Sequence, residues 1–502
     1  MKTVFLPKAL VILFVLLSSS PTAMTAVASK HQISSTERKY VVLPEEEYLK
    51  LKNDQIDIAV GSLIIAKGMY PDIDIQKYLN QIDAMAKELE PKVKSCKNPR
   101  DTIKAISRYL FVSQKLKYKP DKCFINNVLD EKYGQCTSLS CLYLSIAERL
   151  HLPFYGVLAD EHMFVRYDDG SMRVNVETQT GGDIRTEEQV LSYLGISSSL
   201  EAAQGRGYLR NLTKRQLLSH CLNTRGNVYV NKGDIDKAIE DYTKAIVLDP
   251  QFAIAYNNRG CVFEMKGDYV KAIQDCTKAI SIDPNHMKAF YNRGNSLAAK
   301  GDFDEAIQDY TAAISIDPKY ANAYYNRGLA YKEKGDIDKA IEDYSKTIDL
   351  NPKLAVAYLS RGDAFSRRRD FDKAIQDYTK AISVDPKNAK AYHNRGSEYF
   401  NKGYIDNAIE DYTKAIGLDP KLETAYYNRG RCFASKSKYD LALSDFSRAI
   451  AINSKVADYF FYRATVYVFK EDKENAFQDF TRAIELDPGY MNKVKDFFGR
   501  FK

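Results

Sequence analysis

The chain has 502 residues, of which 45% are hydrophobic, and this length exceeds what one ordinary hydrophobic core accommodates. We therefore expect more than one domain. The net charge of +7 arises from 73 basic and 66 acidic residues that are spread along the chain, so no basic arm indicates nucleic acid as a partner.

The first 28 residues are typical of a secretory signal peptide. Lys2 and Lys8 precede an apolar run over residues 9–17, and small residues follow up to Ala28. The apolar run is about half as long as a membrane-spanning helix needs, so a retained anchor is the less favoured alternative. We expect the mature protein to be extracytoplasmic, either periplasmic or secreted, without a membrane span.

Export would place the eight cysteines where disulfides can form. Cys96 and Cys123 flank one predicted helical segment and are a candidate pair, the alternative being that both stay free. Cys136 and Cys141 lie five residues apart on one predicted helix, which points them to different faces and disfavours a bridge. The remaining four are expected to be individual packing residues: Cys221, Cys261, Cys276 and Cys432.

Residues 29–196 form the first predicted domain, in which helices are mixed with strands. The hydrophobic pattern predicts helices over residues 75–94, 101–117 and 136–150, and strands over residues 155–158, 163–167 and 172–177. Asp169 and Gly170 are predicted to be the two-residue turn between the last two strands.

A thiol, an imidazole and an orienting group are predicted to meet in this domain. Cys136 stands where a loop enters a helix, and the N–H groups and dipole of a helix start favour the thiolate. The predicted turn places Glu177 directly opposite His162 and Asn175 diagonally on the same face of the sheet. Such a set is typical of an activated cysteine nucleophile.

This arrangement resembles the transglutaminase-like core, a relative of papain-type cysteine enzymes, over roughly residues 97–180. Residues 128–165 carry the resemblance, especially 134–136, 147–150 and 162–166. The resemblance implies Cys136 as nucleophile, His162 as base and Asn175 or Glu177 as orienting residue of a thiol hydrolase, either protease or amidase, or of an acyl transferase. Some members of the superfamily only bind their partners, so a non-catalytic domain is the alternative.

Other chemistry finds little support in the sequence. It contains no glycine-rich phosphate loop, no dinucleotide motif and no histidine or cysteine set at zinc spacing. We therefore expect neither a cofactor nor a metal ion.

Residues 197–218 are predicted to be a helical connector, with a basic helix beginning at Tyr208. From residue 219 to residue 490 the sequence repeats with a period of 34 residues. Glycine marks seven of the eight units and alanine the last, at residues 226, 260, 294, 328, 362, 396, 430 and 464. Alanine recurs twelve residues after each of these positions, and proline ends every unit except the one with Ser454.

Each unit has two amphipathic stretches separated by a tight turn, and this pattern resembles the tetratricopeptide repeat (TPR). The units span residues 219–252, 253–286, 287–320, 321–354, 355–388, 389–422, 423–456 and 457–490, and a capping helix is predicted over 491–502. The resemblance implies a right-handed superhelix of stacked hairpins. The predicted fold class is mainly α, an eight-repeat TPR superhelical solenoid preceded by a small α+β transglutaminase-like domain.

All eight units carry arginine directly before the glycine position and aspartate sixteen residues after the arginine. The arginines are residues 225, 259, 293, 327, 361, 395, 429 and 463, and the aspartates are residues 241, 275, 309, 343, 377, 411, 445 and 479. Because buried charges need partners, we expect an ion pair between the two helices of each unit. A basic ligand-binding ladder is the alternative.

The first helix of each unit is predicted to line the concave face. Its candidate groove residues are Asn258, Lys288, Tyr291, Asn292, Tyr325, Asn326, Lys390, His393, Asn394, Tyr427 and Asn428. Amides both donate to and accept from a peptide backbone, and tyrosines add rigid apolar area, so the expected partner is a protein or peptide. A solvated polar face is the alternative. The predicted function is an exported scaffold that presents polypeptides to the thiol domain, or a non-catalytic interaction scaffold.

Overall fold

The computed structural model of the protein describes residue 40 and residues 42–159, 162–194 and 209–499. The predicted signal peptide and residues 197–208 of the predicted connector lie outside these residues. Within the described ranges, none of the helices combines the length and the apolar character needed to cross a bilayer.

Seven α-helices belong to the described part of the N-terminal domain: α1 Glu45–Tyr48, α2 Ile58–Lys67, α3 Ile75–Lys94, α4 Pro99–Ser107, α5 Ile125–Glu131, α6 Cys136–Arg149 and α7 Glu187–Tyr193. The helix predicted over residues 101–117 is shorter than expected, because α4 passes into a π-helix at Arg108–Ser113. Helix α2 was not predicted. It is buried on all sides along residues 58–66, so its sequence has no amphipathic period.

Two small sheets complete this domain. Strands β1 Lys117–Tyr118 and β2 Tyr133–Gly134 pair in parallel. Strands β3 Phe154–Ala159, β4 His162–Asp168, β5 Arg173–Glu177 and β6 Asp183–Arg185 form an antiparallel sheet in that order. Strand β6 was not predicted.

The hairpin between β4 and β5 differs from the predicted one. Asp168 pairs with Arg173, so the turn centres on Gly170 and Ser171 and not on Asp169 and Gly170. The Asp169 carboxylate accepts the backbone N–H of Ser171 at 2.9 Å, which fixes the later turn. The register is shifted by two residues, and a shift of two keeps every side chain on its predicted face.

The connector also departs from the prediction. Residues 209–213 are not helical but run beside β3, where the Leu209 N–H donates to the Leu158 carbonyl at 2.9 Å and the Leu212 N–H to the Gly156 carbonyl at 2.8 Å. The following helix begins at Lys214. These backbone N–H groups bond to carbonyls of β3 instead of forming the hydrogen bonds of a helix.

Eight helical hairpins then follow one another. Their helices are α8 Lys214–Lys232, α9 Ile235–Leu248, α10 Ala253–Met265, α11 Tyr269–Ile282, α12 Met287–Lys300, α13 Phe303–Ile316, α14 Ala321–Glu333, α15 Ile337–Leu350, α16 Ala355–Arg367, α17 Phe371–Val384, α18 Ala389–Asn401, α19 Ile405–Leu418, α20 Glu423–Ser435, α21 Tyr439–Ile452, α22 Ala457–Phe469 and α23 Lys473–Leu486. Each hairpin packs on the next, and α24 Tyr490–Gly499 closes the array. The predicted fold class, a mainly helical solenoid after a small α+β domain, is confirmed.

The small residue in the first helix of each hairpin makes room for a ring in the second. A Cβ atom built on Gly328 would lie 2.8 Å from Cε1 of Tyr344. The Tyr344 ring is fully buried and also packs against Ala364 of the next hairpin. The glycine therefore lets one ring fill space both within a hairpin and between neighbours.

The expected ion pairs are present in all eight hairpins. In the fourth, Nε and Nη2 of Arg327 donate to the two carboxylate oxygens of Asp343 at 2.8 Å each. The other seven pairs have the same bidentate geometry. Arg327 Nη1 also donates to Thr311 Oγ1 of the preceding hairpin at 2.9 Å. These guanidinium groups are bound within the array, which argues against a basic ligand-binding ladder.

The first hairpin is docked on the N-terminal domain through Arg225. Its Nη1 donates to Glu45 Oε2 at 2.6 Å and to the Ile65 carbonyl at 2.7 Å. Leu218 of α8 packs against Gly61 of α2, where a Cβ atom would lie 2.7 Å from Leu218 Cδ1. Helices α1 and α2 thus take the place that a preceding hairpin occupies elsewhere in the array. The two domains share one packed interface.

Candidate thiol site and inner groove

Cys136 begins helix α6, after a loop that is fixed at several points. Gln135 N–H donates to the Lys122 carbonyl at 2.9 Å. Gly134 has no room for a side chain, since a Cβ atom there would lie 2.6 Å from Val128 Cγ2. Because the helix starts at Cys136, its backbone N–H has no partner within the helix, and the positive end of the helix dipole favours the thiolate.

His162 and Glu177 lie at the neighbouring ends of β4 and β5. His162 Nε2 is 2.6 Å from Glu177 Oε2, and both side chains are buried. The second carboxylate oxygen, Oε1, accepts the backbone N–H of Gln179 at 2.9 Å. Ser140 Oγ of α6 is 3.1 Å from Thr178 Oγ1, which ties the thiol helix to the end of β5. Of the two predicted orienting residues, Glu177 is the one that bonds the imidazole.

Asn175, the other candidate orienting residue, is bonded to a different side chain. Its Oδ1 accepts a hydrogen bond at 2.7 Å from Nε of Arg166, which stands directly opposite in the sheet. Arg166 is completely buried and also donates to the Leu209 carbonyl at 2.5 Å and to Glu187 Oε1 at 2.8 Å. Asn175 therefore helps Arg166 to join the sheet to residues 209–213 and to α7.

The thiol and the imidazole change each other's protonation. Burial raises the pKa of the Cys136 thiol, but hydrogen bonds with the His162 ring and the Met163 backbone outweigh burial and bring this pKa below its ordinary value. Burial lowers the pKa of His162, but Cys136 and Glu177 together raise it to about 9. Nε2 faces Glu177, which leaves Nδ1 as the ring nitrogen available to the thiol. The lowered pKa of the thiol and the raised pKa of the imidazole both favour a thiolate and imidazolium pair.

A cavity of about 280 Å³ lies between Cys136 and the array. From the N-terminal domain it is lined by Gln135, Cys136, Thr137 and Met163, among others. The array contributes the polar residues His220, Asn223, Thr224, Asn227, Asn231 and Asn258. Only Asn258 of these array residues was predicted. Asn223, Asn227 and Asn231 were not predicted, since the residue one period before Asn258 is Thr224 and the asparagine series begins only in the second repeat.

The remaining predicted groove residues all lie on the first helices of their hairpins. Lys288 and Lys390 are exposed, whereas the other members are half-buried: Tyr291, Asn292, Tyr325, Asn326, His393, Asn394, Tyr427 and Asn428. Each of these asparagines donates its amide to a residue of the preceding hairpin, as Asn326 Nδ2 does to Tyr291 OH at 3.0 Å. The groove is thus a preordered polar surface and not a row of independent side chains.

Comparison with known proteins agrees with this architecture. The family model of the transglutaminase-like superfamily matches residues 76–223, and models of the tetratricopeptide repeat match segments between residues 226 and 490. The chain is a tetratricopeptide repeat protein with an N-terminal transglutaminase-like domain.

Its relatives include a UPF0162 protein of Xylella fastidiosa (strain 9a5c), which is 26% identical over 224 residues, covering 42% of this chain and 78% of the relative. Among solved structures, the chain is similar to MamA, with 33% identity over 33% of this chain and 96% of that chain and a TM-score of 0.31. It is also similar to a tetratricopeptide repeat protein from Parabacteroides merdae ATCC 43184, with 22% identity over 52% of this chain and 98% of that chain and a TM-score of 0.38.

Proposed function

We propose that this protein is an exported scaffold that binds a polypeptide along the inner face of its array and presents it to Cys136 for hydrolysis or acyl transfer. The observation that carries the proposal is the shared cavity, which is lined by Cys136 on one side and by Asn223, Asn227 and Asn258 of the array on the other. A segment bound to the first two hairpins would lie against the thiol.

The residues at the site supply the parts that thiol chemistry requires. The Cys136 thiolate attacks a carbonyl carbon of the substrate, while the backbone N–H of Cys136 stabilises the oxyanion. The His162 imidazolium donates its proton to the departing amine, which leaves a thioester on Cys136. Water or a second amine then attacks the thioester, His162 accepts the proton of this nucleophile, and the thiolate is released.

The chemistry of the cavity wall indicates an uncharged polar ligand. Amides and hydroxyls of Asn223, Thr224, Asn227 and Asn231 line the array side, and no Asp, Glu, Lys or Arg occurs among the described lining residues. Burial lowers the pKa of His220 to about 3, so this ring is neutral as well. Amide groups pair with peptide N–H and C=O groups, whereas an ionic ligand would find no counter-charge in this wall.

A peptide-binding experiment tests the recruitment step. A randomised peptide library is passed over immobilised full-length protein, and the affinity of the retained peptides is measured for Asn227→Ala and Asn258→Ala. We expect weaker binding in both variants and an unchanged rate of Cys136 alkylation by iodoacetamide without peptide. Lys278→Ala, on the exposed surface of α11, is the control and is expected to bind like the unchanged protein.

A turnover experiment separates the two candidate functions. Retained peptides are incubated with the protein, with and without a primary amine, and the products are read by mass spectrometry. Cleavage or amine incorporation that disappears in Cys136→Ser supports the catalytic proposal. Peptide binding without any product, together with ordinary alkylation of Cys136, would instead support the non-catalytic scaffold.

Export is the second part of the proposal and rests on residues 1–28. The full-length protein is expressed with a carboxy-terminal tag and fractionated from a bacterial host. We expect a shortened chain outside the cytoplasm, and an unprocessed chain inside the cytoplasm when residues 9–17 are deleted. A full-length chain that stays in the cytoplasm would overturn this part and leave the site chemistry untouched.

A further inference from the structure

Two buried thiols meet at the interface between the N-terminal domain and the array. Cys141 Sγ of α6 lies 3.5 Å from Cys221 Sγ of α8. All eight cysteines belong to the described part of the chain, and none of them is joined in a disulfide there. The candidate pair of Cys96 and Cys123 is not joined.

We propose that Cys141 and Cys221 form a disulfide that covalently fastens the thiol helix α6 to the first helix of the array. The two sulfur atoms are already in van der Waals contact, so a bond needs a local rotation of the side chains and no rearrangement of the helices. Arg225 and the packing of Leu218 against Gly61 hold the array helix α8 against the N-terminal domain around these two thiols.

The link acts on the proposed site because of where the two cysteines stand. Cys141 is on the helix that begins with Cys136, and Cys221 is next to His220, which lines the shared cavity. Joining these helices fixes the distance between the thiol and the groove. The bond closes a loop across 80 residues of chain separation, which in the chain-entropy picture strongly restricts the unfolded state.

The chemistry requires an oxidant, for which a low-molecular-weight disulfide such as oxidised glutathione suffices. One cysteine thiolate attacks the oxidant, forms a mixed disulfide and releases one glutathione thiolate. The second cysteine thiolate then attacks the mixed disulfide, which forms the Cys141–Cys221 bond and releases the second glutathione thiolate. Two protons pass from the cysteines to the two glutathione thiolates, and two electrons reduce the oxidant.

Burial of both thiols predicts when the bond forms. Cys141 and Cys221 are 1% and 9% exposed, so exchange occurs while the two domains are docking and not in the closed molecule. For the same reason the finished bond is expected to resist reducing agents until the protein unfolds.

The test uses the full chain, unfolded under reduction and refolded with mixed oxidised and reduced glutathione. The refolded protein is then denatured in the presence of iodoacetamide, so that buried free thiols are blocked as well, and peptides are mapped without reduction. We expect one cross-linked peptide pair containing Cys141 and Cys221, with the other six cysteines alkylated. The refolded protein should unfold at a temperature several degrees higher than its reduced form.

Single substitutions test whether Cys141 and Cys221 form this disulfide. Cys221→Ser should abolish the cross-link and the difference in unfolding temperature, while Cys432→Ser, a fully buried cysteine far along the array, should leave both unchanged. Refolded protein with all eight cysteines alkylated, or with Cys141 linked to Cys136, would overturn the proposal. Cys136→Ser is expected to keep the cross-link, so this result is independent of whether the thiol site is active.

Discussion

The imidazole of His162 and the carboxylate of Glu177 lie 2.6 Å apart between two neighbouring strands, and they meet diagonally and not directly across the sheet. Arg166 and Asn175 form the directly opposed pair on the same face. A carboxylate that holds one ring nitrogen fixes the tautomer and direction of the other nitrogen. The pKa values of Cys136 and His162 should therefore respond to substitution of His162 or Glu177.

Iodoacetamide is expected to alkylate Cys136 faster than the other seven cysteines at neutral pH. The pKa of this thiol lies below its ordinary value, so a larger fraction of it is the reactive thiolate at a given pH than of an unperturbed thiol. The rates are measured by mass spectrometry of peptides over a range of pH. Half-buried Cys261 is the internal control.

His162→Gln should remove this preference, because it removes both the hydrogen bond and the positive charge that favour the thiolate. The alkylation profile of Cys136 is then expected to move to higher pH, toward that of an ordinary thiol. Equal rates for Cys136 and Cys261 in the unchanged protein would contradict an activated nucleophile.

Glu177→Gln should lower the pKa of His162 from about 9, since the carboxylate is one of the groups that stabilise the imidazolium. The imidazolium, present below the raised pKa, would then lose its proton at a lower pH. Titration of the His162 ring by NMR checks this direction, and each unit of change corresponds to about 1.4 kcal/mol. Asp168→Asn, which removes a carboxylate at the other end of β4, is the control. A ring that titrates identically in Glu177→Gln would contradict the coupling.

Arg327→Met should destabilise the array much more than Arg368→Met. Arg327 and Asp343 are 17% and 7% exposed, and removing one partner of such a buried pair typically costs about 3–5 kcal/mol. Arg368 pairs with Asp338 at 2.6 Å on the outer surface, where the side chains are 53% and 73% exposed, and such pairs contribute about 1 kcal/mol or less.

Urea unfolding followed by circular dichroism measures both effects on the array. The double change Arg327→Met with Asp343→Leu is expected to recover much of the loss, because it leaves no unpaired buried charge. Similar midpoints for Arg327→Met and Arg368→Met would show that the buried pairs contribute no more than the surface pairs.

The sequence was most informative where a pattern recurs. The 34-residue period places arginine and aspartate sixteen residues apart in every unit, and this recurrence of opposite charges at partly buried positions predicts the contact of Arg327 with Asp343. The predicted β-hairpin was less accurate because Asp169 accepts two turn N–H groups and moves the turn by one residue. The side chains of the hairpin nevertheless lie on their predicted faces of the sheet, and for this reason Glu177 was correctly predicted to lie near His162.

The cavity between Cys136 and the array could not be predicted from local sequence patterns. Asn223 and Asn227 face Cys136 only because α8 packs against α2 and α6, and no local pattern encodes this packing. Helix α2 itself was missed, since a helix that is apolar on every side has no period to detect. The contact between Cys141 and Cys221 depends on the same interface.

Gly328→Ala should destabilise the fourth hairpin, although alanine is the better helix former. The added methyl group would lie 2.8 Å from Cε1 of Tyr344 and 3.2 Å from Cβ of Asp343. The fully buried ring cannot retreat without disturbing Ala364 of the next hairpin. Overpacking of this kind typically costs about 1–3 kcal/mol.

Gly417→Ala is the matched control, because Gly417 is also helical but a Cβ atom there would meet nothing within 4 Å. This variant is expected to be more stable by up to about 1 kcal/mol, since the unfolded chain loses freedom and no contact is strained. The eighth hairpin carries Ala464 at the position equivalent to Gly328, and its partner Phe480 packs there against Phe497 and Phe498 of the capping helix. Thermal unfolding of the two variants should therefore shift in opposite directions, and a stabilised Gly328→Ala protein would contradict the close contact with Tyr344.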